Sequence, residues 1–238
     1  MTPRSVRYIL YGAFYLLILA LIFYGIYYFW FKPPATPVNE YSQLKPLITT
    51  AAVVLPATEN KISLLAKITN PNPDFGAQSF SYRFNIFGPF NVLSKTISGQ
   101  SFIYPGEEKY LIAANIEINP RDVSQAELVI DDSSINWQPQ EKLVRPNLSS
   151  RSIKTEIKNQ NIEVSGLVKN QTPLILNQVK IFALLYNNQN KILNASYTTI
   201  NNIQGFQEQF FIIPFPKGIW SNDLNSNRTE IFLENEIF

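Results

Sequence analysis

One long apolar segment lies near the start of the chain. Residues 8–31 contain no charged side chain and are rich in Leu, Ile, Phe and Tyr. A helix of this length, at about 1.5 Å per residue, crosses a hydrocarbon core of about 30 Å with some tilt. The pattern therefore predicts one transmembrane helix over residues 8–31, preceded by a short cytoplasmic tail over residues 1–7.

The ends of this segment carry the residue types that favour a membrane surface. Aromatic side chains cluster at both ends, and Arg4 and Arg7 precede the segment, which favours a cytoplasmic N-terminus. A cleavable signal peptide is the alternative, but the apolar run exceeds a signal core of about 7–15 residues. We therefore predict an uncleaved anchor in the lipid bilayer, with membrane-contacting residues Tyr8, Tyr11, Leu17, Leu21, Tyr27 and Trp30.

After the anchor, the pattern changes to extended chain and then to strands. Residues 32–48 contain four prolines and no strand-like alternation, so we predict a semi-extended stalk there. The alternative is that residues 41–48 pack along the first domain as an edge segment. From residue 49 onward, apolar and polar residues alternate with the period of two that is typical of half-buried strands, as in residues 61–69 and 79–87.

The strand pattern occurs twice along the chain. Residues 62–70 match residues 162–170, and three later segments match in the same order: 92–94 with 192–194, 105–108 with 204–207, and 126–131 with 229–234. Ordered matches at nearly constant spacing predict a duplicated domain. We therefore predict a β-sandwich over residues 49–138, a linker over 139–150 and a second β-sandwich over 151–238.

The predicted fold class is all-β, with two tandem immunoglobulin- or fibronectin-like β-sandwich domains after one N-terminal transmembrane α-helix. The alternation also assigns a core to each domain. In the first domain the predicted core residues are Ile62, Leu64, Ile68, Phe80, Tyr82, Phe84, Leu111 and Leu128. In the second they are Ile162, Val164, Val168, Val179, Ile181, Leu185, Phe210, Ile212 and Phe232.

Two motifs resemble known families. The first domain carries Ile-Thr-Asn-Pro-Asn-Pro at 68–73 and Ser-Phe-Ser-Tyr-Arg-Phe at 79–84. It resembles the late embryogenesis abundant group 2 (water-stress/hypersensitive-response) domain. The second carries Val-Ser-Gly-Leu-Val-Lys-Asn at 164–170 and Phe-Ala-Leu-Leu-Tyr-Asn at 182–187. It resembles the bacterial FxLYD domain. Both resemblances imply a small β-sandwich and no catalytic residue.

Composition then restricts the chemistry. The chain of 238 residues has no His and no Cys, which excludes disulfides, thiolate metal sites, cysteine nucleophiles and His-dependent catalytic triads. Apart from Arg4 and Arg7, basic and acidic side chains balance at 18 each, so we expect no nucleic-acid partner. We predict no enzyme, no cofactor and no metal. An enzyme that uses carboxylates alone is an alternative, and it would need two of them in one cleft.

These observations predict a non-enzymatic membrane protein whose domains bind a protein partner or serve as a scaffold. Abundant Asn, Ile and Lys with little Gly suggest a bacterial source, and therefore the cell envelope. Aromatic residues near strand ends form the candidate interaction surface, namely Phe90, Phe102, Tyr104, Phe206 and Trp220, and Phe87, Phe211 and Phe215 belong to the same wider set. Alternatively, these aromatic side chains fill core that loops cover. The alternative is a lipid- or glycan-binding module, which an apolar cavity beside Phe80 and Phe84 would favour.

Overall fold

The computed structural model describes residues 3–28, 43–158, 161–216 and 218–235. The chain forms two units, Met1–Gln43 and Leu44–Phe238. The first unit contains helix α1 (Pro3–Ile26), whose side chains from Arg7 onward are almost all exposed. Its mean hydropathy over Arg7–Ile26 is 2.3, and it is long and apolar enough to cross a membrane. The last part of the predicted span, which includes Trp30, lies outside the described residues.

The second unit begins with a sandwich of two antiparallel sheets, whose strands are numbered in chain order. In sheet A, the central strand β3 (Lys61–Thr69) pairs with β6 (Glu108–Glu117) on one side, and with β1 (Ile48–Thr49) and β2 (Val53–Thr58) on the other. In sheet B, the central strand β4 (Phe75–Phe87) pairs with β5 (Leu93–Ile103) on one side, and with β7 (Gln125–Ile130) and β8 (Asn136–Pro139) on the other.

The second half of the chain repeats this arrangement. Sheet C has β10 (Asn161–Asn170) between β9 (Leu148–Lys158) and β13 (Glu208–Pro216). Sheet D has β11 (Leu176–Asn187) between β12 (Ile192–Ile203) and β14 (Leu224–Asn235). The predicted all-β class with an N-terminal helix is confirmed.

Two residue ranges that we predicted as stalk and linker contribute to the sheets. Leu47 is buried in the first core, and β1 pairs Ile48 with Thr69. The main-chain N–H of Lys45 also donates to the Asn72 side chain. At the second boundary, β9 begins at Leu148. These segments lie against the sandwiches because each supplies an apolar residue or a strand edge.

The core of the first sandwich contains all eight residues that we predicted, with Tyr82 partly buried. In the second sandwich six of the nine predicted residues lie in the core, and they are Ile162, Val164, Val168, Val179, Ile181 and Leu185. Phe232 lies instead between the two sandwiches. The predictions for Phe210 and Ile212 were wrong.

Strand β13 turns the opposite face toward the core from the one that we predicted. Phe211 and Ile213 are buried, whereas Phe210 is 60% exposed and Ile212 is 43% exposed. Residues 210–213 read Phe-Phe-Ile-Ile, so both faces are apolar and a period of two cannot distinguish them. Gly166 on β10 accommodates the Phe211 ring, because a Cβ atom at Gly166 would lie 2.9 Å from that ring.

The two sandwiches pack together through the outer faces of sheets A and D. A buried apolar layer joins them, formed by Leu55, Leu65 and Ile112 of sheet A with Phe182, Leu184, Tyr186 and Ala195 of sheet D. The unit therefore has four sheet layers in the order B, A, D, C. Central strands β3 and β11 are buried on both faces along much of their length. Such double burial explains the uninterrupted apolar run of β11 at residues 181–186.

Each sandwich closes one corner with a buried asparagine at the end of a central strand. Asn70 donates from Nδ2 to the carbonyls of Phe75 and Tyr104, at 2.7 and 3.0 Å, and its Oδ1 accepts from the Asn72 N–H. Asn170 has the same arrangement, with Nδ2 donating to the carbonyls of Leu174 and Ile203. The duplicated sequence thus produces a duplicated hydrogen-bonded corner.

The corner also corrects one detail of the repeat alignment. The Gly106 N–H donates to the Asn72 carbonyl, and the Phe206 N–H donates to the Thr172 carbonyl. Gly106 has φ 63° and Phe206 has φ 61°, so Phe206 takes the left-handed turn position. The sequence match had aligned Gly106 with Gly205, because glycine is the residue that favours this conformation.

We expect Asn170→Ala to lower the free energy of unfolding by about 3 kcal/mol. The substitution leaves buried carbonyls and the Thr172 N–H without their partner, and each unsatisfied group costs about 1–3 kcal/mol. Urea unfolding followed by circular dichroism measures the change. Asn201→Ala, at an exposed position of β12, is the control and should change the value by less than about 0.5 kcal/mol. Equal effects of the two substitutions would contradict the role of the corner.

Candidate functional site: the uncovered face of sheet C

Stacking of the four layers leaves two outer faces, and the outer face of sheet B is polar. Asn85 Nδ2 donates to the Glu127 carboxylate at 2.9 Å, and Thr96 Oγ1 donates to Asn85 Oδ1 at 3.1 Å. These groups are exposed, and Arg83 lies on the same face of β4. This end of the stack therefore presents a hydrated, hydrogen-bonded surface.

The outer face of sheet C carries an apolar patch, which we define as Leu167, Phe210 and Ile212. Leu167 on β10 lies directly opposite Phe210 on β13, and the next outward pair is Ser165 with Ile212. Side chains in such pairs lie close together on one face of a sheet. The patch is therefore continuous across two strands.

Ion pairs border the patch at both ends of the strands. Arg151 contacts the Glu208 carboxylate through two hydrogen bonds of 2.5 and 2.6 Å, and the bond to Arg151 holds the pKa of Glu208 below its usual range. At the other end, Lys158 Nζ lies 2.6 Å from the Glu163 carboxylate. An apolar centre with a charged rim is typical of protein–protein interfaces.

The equivalent surface of the first sandwich is covered. On β6, Tyr110 pairs with Lys67 and Ile112 pairs with Leu65. On β13, Phe210 pairs with Leu167 and Ile212 pairs with Ser165. Tyr110 and Ile112 therefore occupy the same places in the first sandwich as Phe210 and Ile212 in the second. Ile112 is buried in the layer between the sandwiches, and the Tyr110 ring lies 5.4 Å from the Phe232 ring. One copy of the repeated surface is thus used inside the chain, and the other is open.

The predicted interaction residues fall into three groups. Phe90 and Phe206 are 99% and 64% exposed at the tips of separate turns. Phe211 and Phe215 are buried in the core of the second sandwich, so placing them on an exposed surface was wrong. Phe102 and Tyr104 are only 3% and 7% exposed, so their placement there was wrong as well. Their rings are covered by cations, with Lys109 Nζ 4.1 Å from the Phe102 ring and the Arg145 guanidinium 4.9 Å from the Tyr104 ring. For Trp220 the structure describes the main chain alone, in the short helical turn Ile219–Asp223.

The predicted anchor residues have a uniform environment. In the unit that contains α1, the side chains of Tyr8, Tyr11, Leu17, Leu21 and Tyr27 are all more than half exposed. The helix thus presents apolar surface all round, which suits a lipid environment.

Sequence reasoning missed the Leu167, Phe210 and Ile212 patch, for which the signal was an apolar run on both faces of β13.

A second feature is a cavity of about 360 Å³ at the junction of the two sandwiches, lined by residues that include Tyr104, Lys109, Arg145, Phe182 and Glu234. Lys109 Nζ lies 2.8 Å from the Glu234 carboxylate and links the two sandwiches. The Tyr104 hydroxyl is buried and has no hydrogen-bond partner within the described ranges. Across those same ranges, no cluster of three or more Asp or Glu side chains could hold a metal ion.

Burial raises the pKa of Tyr104 and of Tyr82 to about 12. Burial and the hydrogen bond to Glu230 also raise the pKa of Tyr186, so we expect these three tyrosines to stay protonated at about pH 11 in the folded chain, where exposed tyrosines ionise. Because the pKa of each tyrosine is higher in the folded chain than the value of about 10 in the unfolded chain, ionisation disfavours folding. The free energy of unfolding is therefore unaffected below about pH 10 and falls as the pH rises through 12. Absorbance at 295 nm measures tyrosinate, and Tyr104→Phe should remove one late-ionising group. An unchanged late phase would contradict the assignment.

Comparison with known proteins gives little beyond the fold. No protein-family model matches the chain, and no curated protein matches it. Among solved structures the chain is similar to red sea bream transglutaminase, with 10% sequence identity and a TM-score of 0.28 over 84% of this chain and 32% of that one. The chain spans about a third of the length of that enzyme. A likeness this distant carries no functional argument, so the assignment of the chain rests on its own sheets and surfaces.

Proposed function

We propose that this chain is a non-enzymatic, single-pass membrane protein of a bacterial cell envelope, and that its two extracytoplasmic β-sandwiches bind a protein partner. The observation that carries the proposal is the apolar patch of Leu167, Phe210 and Ile212 on an outer sheet face, in a chain that also has a membrane-length apolar helix. An uncovered apolar patch of this kind marks an interaction surface.

The proposed orientation rests on the charges at the start of α1. Arg4 and Arg7 precede the apolar segment, and positively charged flanks stay on the cytoplasmic side. This orientation places the sandwiches outside the cytoplasmic membrane. We also propose that α1 is an uncleaved signal-anchor, and that the two sandwiches are relatives of the late embryogenesis abundant group 2 and FxLYD domains. The family motifs at 68–73 and 164–170 include the two buried asparagine corners.

We expect Phe90→Cys to react with a membrane-impermeant maleimide in spheroplasts. The chain has no native cysteine, so the introduced thiol is the only target, and position 90 is almost fully exposed. Thr2→Cys, at the N-terminal side of the helix, is the matched control and should react only after lysis. Labelling of position 2 but not of position 90 in intact spheroplasts would reverse the proposed orientation.

Protein binding is tested by photocrosslinking in the same cells. A photoreactive amino acid at Ile212 should yield a protein adduct of defined mass. The same group at Thr96, on the polar face of sheet B, is the control and should yield none. Equal crosslinking at the two positions, or none at Ile212, would count against the patch as a binding surface.

A ligand-binding module is the second candidate function. The cavity between the sandwiches and the unpartnered Tyr104 hydroxyl support it, since a buried polar group without a partner is costly unless a ligand or water satisfies it. Native mass spectrometry of the purified chain would reveal a retained lipid or glycan. That extra mass should be lost in Tyr104→Phe, and its absence from the wild-type chain would count against this function.

A further inference from the structure

We infer that the uncovered face of sheet C is a docking site for the outer face of a β-sheet in another protein, and that this partner sheet presents aromatic and aliphatic side chains as sheet D does. The inference rests on the proposed protein-binding function and names the partner class. Three observations support it: the equivalent surface of the first sandwich is covered, the sheet that covers it presents aromatic and aliphatic side chains, and the described residues of sheet B do not repeat that face at Arg83 and Asn85.

In the first sandwich the equivalent surface already binds a sheet of this chain. Sheet A is the counterpart of sheet C in strand order and pairing. Its outward residues Leu65 and Ile112 are buried under sheet D. A repeated surface that keeps an aromatic and an isoleucine at the matching places, Phe210 and Ile212, retains the chemistry for the same kind of contact.

The contact between the two sandwiches joins two unlike surfaces. Sheet A receives sheet D, which is the counterpart of sheet B, so the packing is head-to-tail and not twofold. The face that covers sheet A is formed by Phe182, Leu184 and Tyr186. Because sheet C is the counterpart of sheet A, we expect the sheet that covers it to present aromatic and aliphatic side chains as sheet D does.

Among the described residues, sheet B of a second copy is the counterpart of sheet D, and it does not repeat the apolar face of sheet D at two outward positions of β4, although Phe87 lies where Tyr186 lies on β11. On β4 the core residue Phe84 lies between the outward residues Arg83 and Asn85. On β11 the core residue Ala183 lies between Phe182 and Leu184. Arg83 and Asn85 therefore correspond to Phe182 and Leu184. Sheet B thus carries charge and amide groups where sheet D carries apolar groups. Covering the patch with sheet B would bury Arg83 and Asn85 against apolar side chains, which is costly. Head-to-tail packing of a second copy on the patch is therefore disfavoured, and we assign the patch to a different protein. Twofold pairing of two C faces, which would bring together Phe210 and Ile212 of two copies, is the competing occupant that the test below excludes.

The test places an apolar face like that of sheet D on sheet B of a second copy of this chain. A donor carries Arg83→Phe and Asn85→Leu, which reproduce Phe182 and Leu184, together with Phe210→Lys to prevent its self-association. The acceptor is the wild-type full-length chain, and both are kept in detergent. Sedimentation velocity should show a 1:1 complex, and Phe210→Lys in the acceptor should weaken it at least about tenfold, as loss of a central aromatic does.

Two controls fix the interpretation. Phe90→Lys in the acceptor changes a phenylalanine that is even more exposed than Phe210 and lies outside the patch, and it should leave the complex unchanged. A donor with Phe210→Lys alone should form no complex. If circular dichroism shows that the donor fails to fold, Arg83→Leu with Asn85→Ala takes its place.

Two results would overturn the inference. A folded donor that forms no complex with the wild-type chain would show that sheet C does not accept such a face. Self-association of the wild-type chain that Phe210→Lys abolishes would show that the partner is a second copy. Neither result depends on the maleimide labelling of Phe90→Cys, so failure of the proposed membrane orientation is distinguishable from failure of the docking site.

Discussion

Leu184→Ala is expected to lower the free energy of unfolding by about 3 kcal/mol, which matches the range for a buried leucine in a well-packed core. Leu184 points away from the core of its own sandwich, yet it is fully buried, because sheet A covers it. The free energy lost is therefore that of contact between the two sandwiches.

Urea unfolding followed by tryptophan fluorescence measures this effect. Leu174→Ala, an exposed leucine of the same sandwich, is the control and should change the value by less than about 0.5 kcal/mol. Leu184→Asp buries an unpaired charge, so we expect it to separate the sandwiches and to split the transition into two. A loss below about 1 kcal/mol in Leu184→Ala would mean that the sandwiches unfold independently.

Leu17→Arg with Leu21→Arg is expected to remove the chain from the membrane. Both residues lie in the central part of the apolar helix, where each arginine disfavours insertion by about 2.5–3.5 kcal/mol. Alkaline carbonate extraction followed by blotting measures the fraction that stays in the membrane pellet. We expect nearly all of the wild-type chain and little of the double variant there.

The matched control for this experiment is Leu17→Ala with Leu21→Ala, which shortens the same side chains without adding charge and should leave the chain in the pellet. Full retention of the arginine variant would mean that α1 is not what holds the chain in the membrane. Release of the wild-type chain by carbonate would have the same meaning.

The sequence predicted the fold class and most of the core because most outward positions of sheet B, and those of β10 apart from Leu167, are polar. In such strands the period of two identifies the buried face, as it did for Phe80 and Phe84. In β13 both faces are apolar, so the same rule placed Phe210 inside and Phe211 outside. The run at 210–213 holds no polar residue to set the register.

The candidate site was harder to predict because it depends on long-range packing. Ile112 and Ile212 occupy matching places in the repeated strand pattern. Sheet D covers Ile112, which is therefore buried, whereas Ile212 is exposed because no sheet covers it within the described residues. Phe102 and Tyr104 likewise looked exposed near a strand end, but Lys109 and Arg145 cover their rings. No local pattern reports such contacts.

The most direct test of the four-layer arrangement is a distance measurement across it. Spin labels at Ser98→Cys and Lys169→Cys lie on the exposed outer faces of sheets B and C, and the chain has no other cysteine. Double electron–electron resonance on the full-length chain should give a single narrow distance distribution, which Leu184→Asp broadens. A broad distribution in the otherwise unaltered chain would contradict the packing of the two sandwiches into one body.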